Sequence, residues 1–208
     1  MIYLDNSATT KPHKEVLNTF VQVNEQYYAN PASIHEAGVT ANTLLMRARE
    51  QVAQILNTEA KEVIFTAGGT ESNNFAIFGT AQASTHKGKH ILTTEIEHPS
   101  VLEAVKRLAQ AGFEVDYLHV DRNGIISLDE LRNKVRKDTI LVSIMHVNNE
   151  MGAIQPIEEA AKIIHANSRA LFHVDAVQSF GKLPVAFNGE AGPDILSISG
   201  HKRSEERR

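Results

Sequence analysis

From about residue 60 onward the chain alternates short apolar runs with amphipathic stretches. Val63-Ile64-Phe65-Thr66 predicts a buried strand, and residues 70–83 a helix. His90-Ile91-Leu92-Thr93-Thr94 predicts a strand, followed by a helix over 100–111. Glu114-Val115-Asp116-Tyr117-Leu118 predicts another strand, with a short helix over 127–135. Ile140-Leu141-Val142-Ser143-Ile144 leads into a helix over 157–166. Leu171-Phe172-His173-Val174 and Ile195-Leu196-Ser197-Ile198 predict the last two strands. This alternation argues for an α/β fold, a mostly parallel sheet flanked by helices on both faces. Ligands of such sheets bind at the carboxyl ends of the strands. Two helical stretches come first, over 11–27 and 35–56. In the second, Val39, Leu44, Ala48, Val52 and Ile55 follow helical spacing. Asn30-Pro31 between them is a stop and turn signal. There is no internal repeat and no low-complexity linker.

Composition narrows the function classes. A chain of 208 residues with 42% hydrophobic and 22% charged positions can bury a core as a soluble protein. Its 21 basic residues are outnumbered by 25 acidic ones, so no basic surplus points to a nucleic-acid partner. The absence of cysteine excludes disulfides and thiolate metal sites within these residues. Ten histidines are present, but none form HExxH, and no metal site is expected. No apolar run approaches the roughly 20 residues of a membrane span. Met1-Ile2-Tyr3-Leu4-Asp5 is not a basic segment leading into an apolar one, so no signal peptide and a cytoplasmic location are expected.

Candidate chemistry lies at the predicted strand ends. Asp175 closes one apolar strand and Lys202 follows another, after Ser199-Gly200-His201. An acid and a lysine so placed suit pyridoxal 5'-phosphate (PLP). The acid keeps the pyridine nitrogen protonated and the lysine forms the Schiff base. A lone carboxylate at the end of a buried strand needs a cationic partner; a helix cap or structural salt bridge is the plainer alternative. Gln178 lies within reach of the same place. Gly68-Gly69-Thr70-Glu71-Ser72-Asn73 opens a helix after a strand, where backbone N–H groups, the Thr70 hydroxyl and the helix dipole favour a phosphate. Helix capping by Thr70, with Glu71 or Asn73 satisfying backbone donors, explains the same segment. His98, in Glu97-His98-Pro99-Ser100, suits stacking on a heterocycle or moving protons, or is a loop residue before a first-turn proline. Asn149, in His146-Val147-Asn148-Asn149-Glu150-Met151-Gly152, suits hydrogen bonding to a ring hydroxyl or substrate carboxylate, or turn formation.

The order and wording of these motifs resemble the NifS/IscS group of cysteine desulfurases, in the class V aminotransferase family of fold-type I PLP enzymes. The resemblance runs from Tyr3-Leu4-Asp5-Asn6-Ser7-Ala8-Thr9-Thr10 through Asn30-Pro31-Ala32-Ser33-Ile34-His35 and Glu97-His98-Pro99-Ser100-Val101 to Ser199-Gly200-His201-Lys202. It implies that Lys202 holds PLP, that Asp175 pairs with the ring nitrogen and that Gln178 bonds the ring hydroxyl. It implies that His98 stacks on the ring and shuttles protons, making Lys202 and His98 the catalytic pair. Gly69, Thr70, Ser199 and His201 would hold the phosphate, and Asn149 would sit near cofactor and substrate carboxylate. Gly69 stands where many relatives have alanine, a change expected to be harmless. The implied reaction turns L-cysteine into L-alanine. Its sulfur passes as a persulfide to a protein acceptor of the iron–sulfur scaffold or tRNA-modification type. The implied assembly is a homodimer.

The resemblance also implies that the large PLP-binding domain is incomplete at the C-terminus. In the family the nucleophilic cysteine, the substrate-carboxylate arginine and the partner subunit's phosphate contact all lie after the His-Lys pair. Residues 1–34 are expected to serve the small domain or dimer contacts, 35–202 the PLP domain, and 203–208 a non-family tail. Lacking a thiol, this chain alone is expected to be inactive. Two alternatives stay open: a selenocysteine lyase or other class V enzyme, and a noncatalytic interaction partner. A dinucleotide site is disfavoured, since the Gly68-Gly69 loop does not spell G-x-G-x-x-G.

Overall fold

Runs rich in Val, Ile and Leu can be buried on both faces only at the centre of a helix-covered sheet. The computed structural model, which describes residues 2–184 and 191–202, has that arrangement. Strands β1 (His90–Thr94), β2 (Glu114–Leu118), β3 (Thr139–Met145), β4 (Leu171–Asp175) and β5 (Ile195–Ser197) form one sheet in the order β2-β1-β3-β4-β5. All four pairings are parallel, as the sequence predicts. Every residue of β1 and β3 is buried, whereas the edge strand β2 is open at Glu114. The expected tail at 203–208 falls outside the described residues.

The helices are α1 (Lys14–Gln26), α2 (Glu36–Leu56), α3 (Gly69–Ser84), α4 (Pro99–Gln110), α5 (Leu128–Lys134) and α6 (Ile157–Asn167). Right-handed crossovers place α4, between β1 and β2, on the opposite face from α5 and α6. Accordingly α3 packs with α4, and α5 with α6. Ile77 and Ala81 of α3 meet Val101, Val105 and Leu108 of α4 over Ile91 and Leu141 of the sheet. The strand order reverses direction between β1 and β3, which is where open α/β sheets form a crevice at their carboxyl edge.

The described chain forms two compact units, the first up to residue 65 and the second from residue 66 onward. In the first, Asn30 Oδ1 accepts from Ala32 N–H at 2.9 Å, and His35 Nδ1 accepts from Gly38 N–H at 3.2 Å, capping α2. The Asn30–His35 motif is thus a turn feeding a helix cap. Asn57 ends α2 in the left-handed conformation. The apolar stripe expected on α2 is only half covered: Leu44, Ala48 and Val52 are partly buried, while Val39 and Ile55 are exposed. Its buried positions are the small residues Gly38, Ala41 and Ala53.

One predicted strand does not form. Val63-Ile64-Phe65-Thr66 is extended without a ladder partner among the described residues, and Ile64 and Phe65 are 60% and 47% exposed. Four β-favouring residues mark a segment able to pair; a strand also needs a neighbouring backbone to bond. The Arg49 guanidinium sits 5.8 Å from the Phe65 ring centroid instead.

Candidate functional site

The carboxyl edge of the sheet gathers the predicted residues from separate parts of the chain. Asp175, the last residue of β4, pairs in register with Met145 of β3 and Ser197 of β5, which sets it between those two strands at that edge. It is buried. Its Oδ2 accepts from Asn73 Nδ2 at 2.7 Å and its Oδ1 from Val177 N–H at 3.0 Å. Among the described residues no cation pairs with it; the Val177 N–H bond caps the turn that follows but supplies no balancing charge. Gln178 lies in the turn that follows, half-buried.

His98 arrives from the β1 end as the N-cap of α4, with Pro99 in the first turn. Its Nδ1 accepts from Ser100 N–H at 3.1 Å and lies 2.8 Å from Ser100 Oγ. Asn73 Nδ2 also donates to Ser100 Oγ, at 2.9 Å. The sequence reading missed Asn73 and Ser100, which connect His98 to Asp175. A trace was legible: Asn73 heads the buried stripe Asn73, Ala76, Ile77, Thr80, Ala81, Ser84 and carries its one carboxamide.

The β3 exit loop separates two asparagines by role. Asn148 is buried and builds the turn: its Oδ1 accepts from Glu150 and Met151 N–H at 2.9 and 2.8 Å, and its Nδ2 donates to Ile96 O at 3.1 Å. Asn149, next to it, is half-buried and its side chain makes no hydrogen bond among the described residues. Turn chemistry therefore uses Asn148 and leaves Asn149 available.

Behind this loop lies Glu97, a further residue the sequence reading passed over. Its Oε1 accepts from Thr94 Oγ1 at 2.7 Å and Met145 N–H at 2.8 Å, while Oε2 is buried without a partner among the described residues. Burial, reinforced by the Asp175 carboxylate, pushes its carboxyl up to about 8.

At the other end, Gly69 and Thr70 open α3. The Thr70 hydroxyl faces no hydrogen-bond partner among the described residues; Glu71, not Thr70, accepts from the Ala67 N–H. A Cβ on Gly69 would come 3.2 Å from Val177 Cγ2, so the helix start and the loop after Asp175 approach closely. Ser72 Oγ lies 3.0 Å from Ser197 Oγ, which brings the α3 terminus to the end of β5. Ser197 Oγ also lies 2.9 Å from His173 Nε2, and His173 Nδ1 lies 2.8 Å from Ser143 Oγ. Burial drives His173 down to about 4, against the pull of Asp175, so it bridges the three strands as a neutral ring. Ser199 is buried just beyond β5, and Gly200–Lys202 forms a single 3-10 turn carrying exposed His201 and half-buried Lys202.

The structure thus joins His98 to Asp175, and Gly69 and Thr70 to the Ser199 side, through hydrogen bonds of Asn73 and Ser72. Asn149, Gln178, His201 and Lys202 stand on loops of the same edge. A pocket of about 230 Å³ lies beside it, lined by His146, Gln155, Glu158 and Pro184, but contains none of these residues. No group of three or more metal-ligating side chains occurs among the described residues.

Residues 2–204 match the family described as aminotransferase class V. The chain is 48% identical to the cysteine desulfurase IscS of Dictyoglomus turgidum (strain DSM 6724 / Z-1310) over 201 residues, covering 97% of this chain and 50% of that protein. The mitochondrial cysteine desulfurase of Saccharomyces cerevisiae is 46% identical over 202 residues, again over 97% of this chain and 40% of the relative. A solved NifS-like protein superposes with a TM-score of 0.92 at 40% identity, covering 97% of this chain and 55% of the other. SspA, solved in complex with cysteine, gives 0.90 at 37% identity, covering 97% and 58%. The chain spans about half the length of the curated relatives it matches.

Proposed function

The chain belongs to the class V aminotransferase family, and from that premise we propose that it carries the cofactor half of a PLP-dependent cysteine desulfurase. The observation that carries this reading is the buried Asp175 carboxylate without a cation among the described residues, at the carboxyl edge of a parallel sheet. A protonated pyridine nitrogen is a cation of the right size and shape to meet it. The free Thr70 hydroxyl and the close approach at Gly69 fit a phosphate at the N-terminus of α3.

When bound, PLP supplies an electron sink for negative charge at the substrate α-carbon. Within this chain Asp175 would stabilise the positive charge of the ring nitrogen, and Gln178 would hydrogen-bond the ring hydroxyl. Gly69, Thr70, Ser199 and His201 would hold the phosphate. Lys202 would anchor the cofactor covalently, and His98 would lie against the ring and move protons. Asn149, with its amide unengaged, would orient the cofactor and the substrate carboxylate. The overall reaction takes L-cysteine to L-alanine and inserts the sulfur into an acceptor thiol as a persulfide. These 208 residues contain no cysteine, so that thiol comes from outside them. SspA, similar in fold, was solved with cysteine, which supports L-cysteine as substrate. The final acceptors would be iron–sulfur scaffold or tRNA-modification proteins.

Residues 1–34 would serve the small domain or a homodimer contact, which the exposed Leu17, Phe20 and Val21 of α1 support. The same feature supports the second reading, a noncatalytic interaction partner. No described helix is long and apolar enough to cross a membrane. The test is PLP-loaded protein mixed with L-cysteine. The expected result is a cysteine-dependent change in the visible spectrum with no sulfide beyond that of free PLP. Sulfide release above that level, without added thiol, would overturn the assignment of the sulfur-accepting thiol to other residues.

A further inference from the structure

Building on the reading of His98 as the proton-moving residue, we infer that Asn73 and Ser100 are positioning residues that hold its ring in a single tautomer, with Nδ1 bare and the proton on Nε2. The directions of the hydrogen bonds leave little freedom. The Ser100 N–H can only donate, and it reaches His98 Nδ1 at 3.1 Å, so that nitrogen offers its lone pair. Ser100 Oγ, 2.8 Å from the same nitrogen, must then donate its own hydrogen. Its lone pair is taken by one amide hydrogen of Asn73 at 2.9 Å. The other amide hydrogen goes to the Asp175 carboxylate at 2.7 Å. That carboxylate is an acceptor, so it fixes which end of the Asn73 amide faces the site. A flipped amide would set oxygen against oxygen.

Asn73 holds this place at a cost. It is 1% exposed, and its Oδ1 has no hydrogen-bond partner among the described residues. An apolar side chain on this helix stripe would avoid that orphaned acceptor. What an apolar residue lacks is the pair of donors that ties the α4 cap to the end of β4. A carboxamide does not pass a proton along, so the chain orients His98 without connecting it to Asp175 as a proton path. Proton exchange is thereby confined to Nε2, which makes no hydrogen bond among the described residues.

The test is a long-range proton–nitrogen correlation spectrum of ¹⁵N-histidine-labelled protein without cofactor. It separates bare from protonated ring nitrogens. His98 is assigned by its absence in His98→Gln. The wild type is expected to show bare Nδ1. Ser100→Ala and Asn73→Ala are each expected to raise the Nδ1–H population by about two- to tenfold, the worth of one hydrogen bond; Ser100→Thr restores it. A wild-type His98 protonated on Nδ1, or ring shifts unchanged in both variants, overturns the inference. The signals of His90 and His173 inside the sheet report whether each variant is folded; if Asn73→Ala is not, Ser100→Ala decides. Adding PLP to the same samples separates the two claims. A fixed tautomer with no visible cofactor band sinks the PLP reading alone. A band with an unfixed tautomer sinks this inference alone.

Discussion

The hydroxyls of Ser72 and Ser197 lie 3.0 Å apart, although 125 residues separate them in the chain. Through this contact the first turn of α3, with Gly69 and Thr70, is fixed to the strand that leads to Lys202. Ser72→Ala is expected to destabilise the protein by about 1 kcal/mol, the net worth of one hydrogen bond. It should also speed amide exchange in the first turn of α3 relative to its second. Urea unfolding and hydrogen exchange check both. Unchanged exchange there would mean that other contacts hold the helix start.

Stability should depend on pH with opposite signs from two buried groups. Glu97 titrates at about 8 in the fold against 4.5 ordinarily. Between those values the fold keeps a proton the unfolded chain has released, so stability falls as pH rises through this window. His173 titrates at about 4 against 6.5. Over that range the unfolded chain takes up a proton the fold refuses, so stability is lost as pH falls. Burial lowers His90 and His146 in the same direction. Stability should therefore peak near neutrality and fall by about 2 kcal/mol from pH 6.5 to 8, at roughly 1.4 kcal/mol per unit. Glu97→Gln keeps the Oε1 contacts to Thr94 and Met145 and should flatten that alkaline limb. Urea midpoints at the two pH values test it; a wild type already flat across them would contradict the protonated Glu97.

Two glycines should respond differently to alanine. A Cβ on Gly38 would fall 2.3 Å from the Ser33 carbonyl oxygen, in the turn that caps α2. Backbone must move to admit it, so Gly38→Ala should cost about 1–3 kcal/mol. At Gly69 the nearest atom is a side-chain methyl of Val177, at 3.2 Å. A small shift there is offset by the better helix propensity of alanine, and Gly69→Ala should change stability by less than about 1 kcal/mol. Thermal melts of both variants decide this, and a large loss at Gly69 would contradict the expectation that the change is harmless.

Much of the second unit was legible because parallel strands buried on both faces leave long apolar runs. The central strands β1, β3 and β4 could be read in this way, and the edge strands β2 and β5 from their place in the strand-helix alternation. Val63-Ile64-Phe65-Thr66 carried the same signal and formed no strand, because composition records the ability to pair and not the presence of a partner. Candidate site residues at strand ends were legible by residue type and position, although capping or turn chemistry offered a plainer reading of several of them. Asn73 and Glu97 were not. Each acts through partners distant in sequence, Asn73 through Asp175 and Glu97 through Met145. A polar residue in a buried stripe reads as an oddity until the fold supplies its partner. The Asn148-Asn149 pair shows the opposite limit: identical side chains, adjacent in sequence, divide into turn former and open amide only in three dimensions.

The most direct test of the PLP site is the visible absorbance of the purified chain after incubation with PLP and removal of the excess, beside Lys202→Ala. A band fixed by borohydride in the wild type and absent from Lys202→Ala is the predicted result. It would mean that Asp175, the α3 terminus and Lys202 form a working cofactor site within these residues. A wild type with no band, or one as strong in Lys202→Ala, would contradict the account.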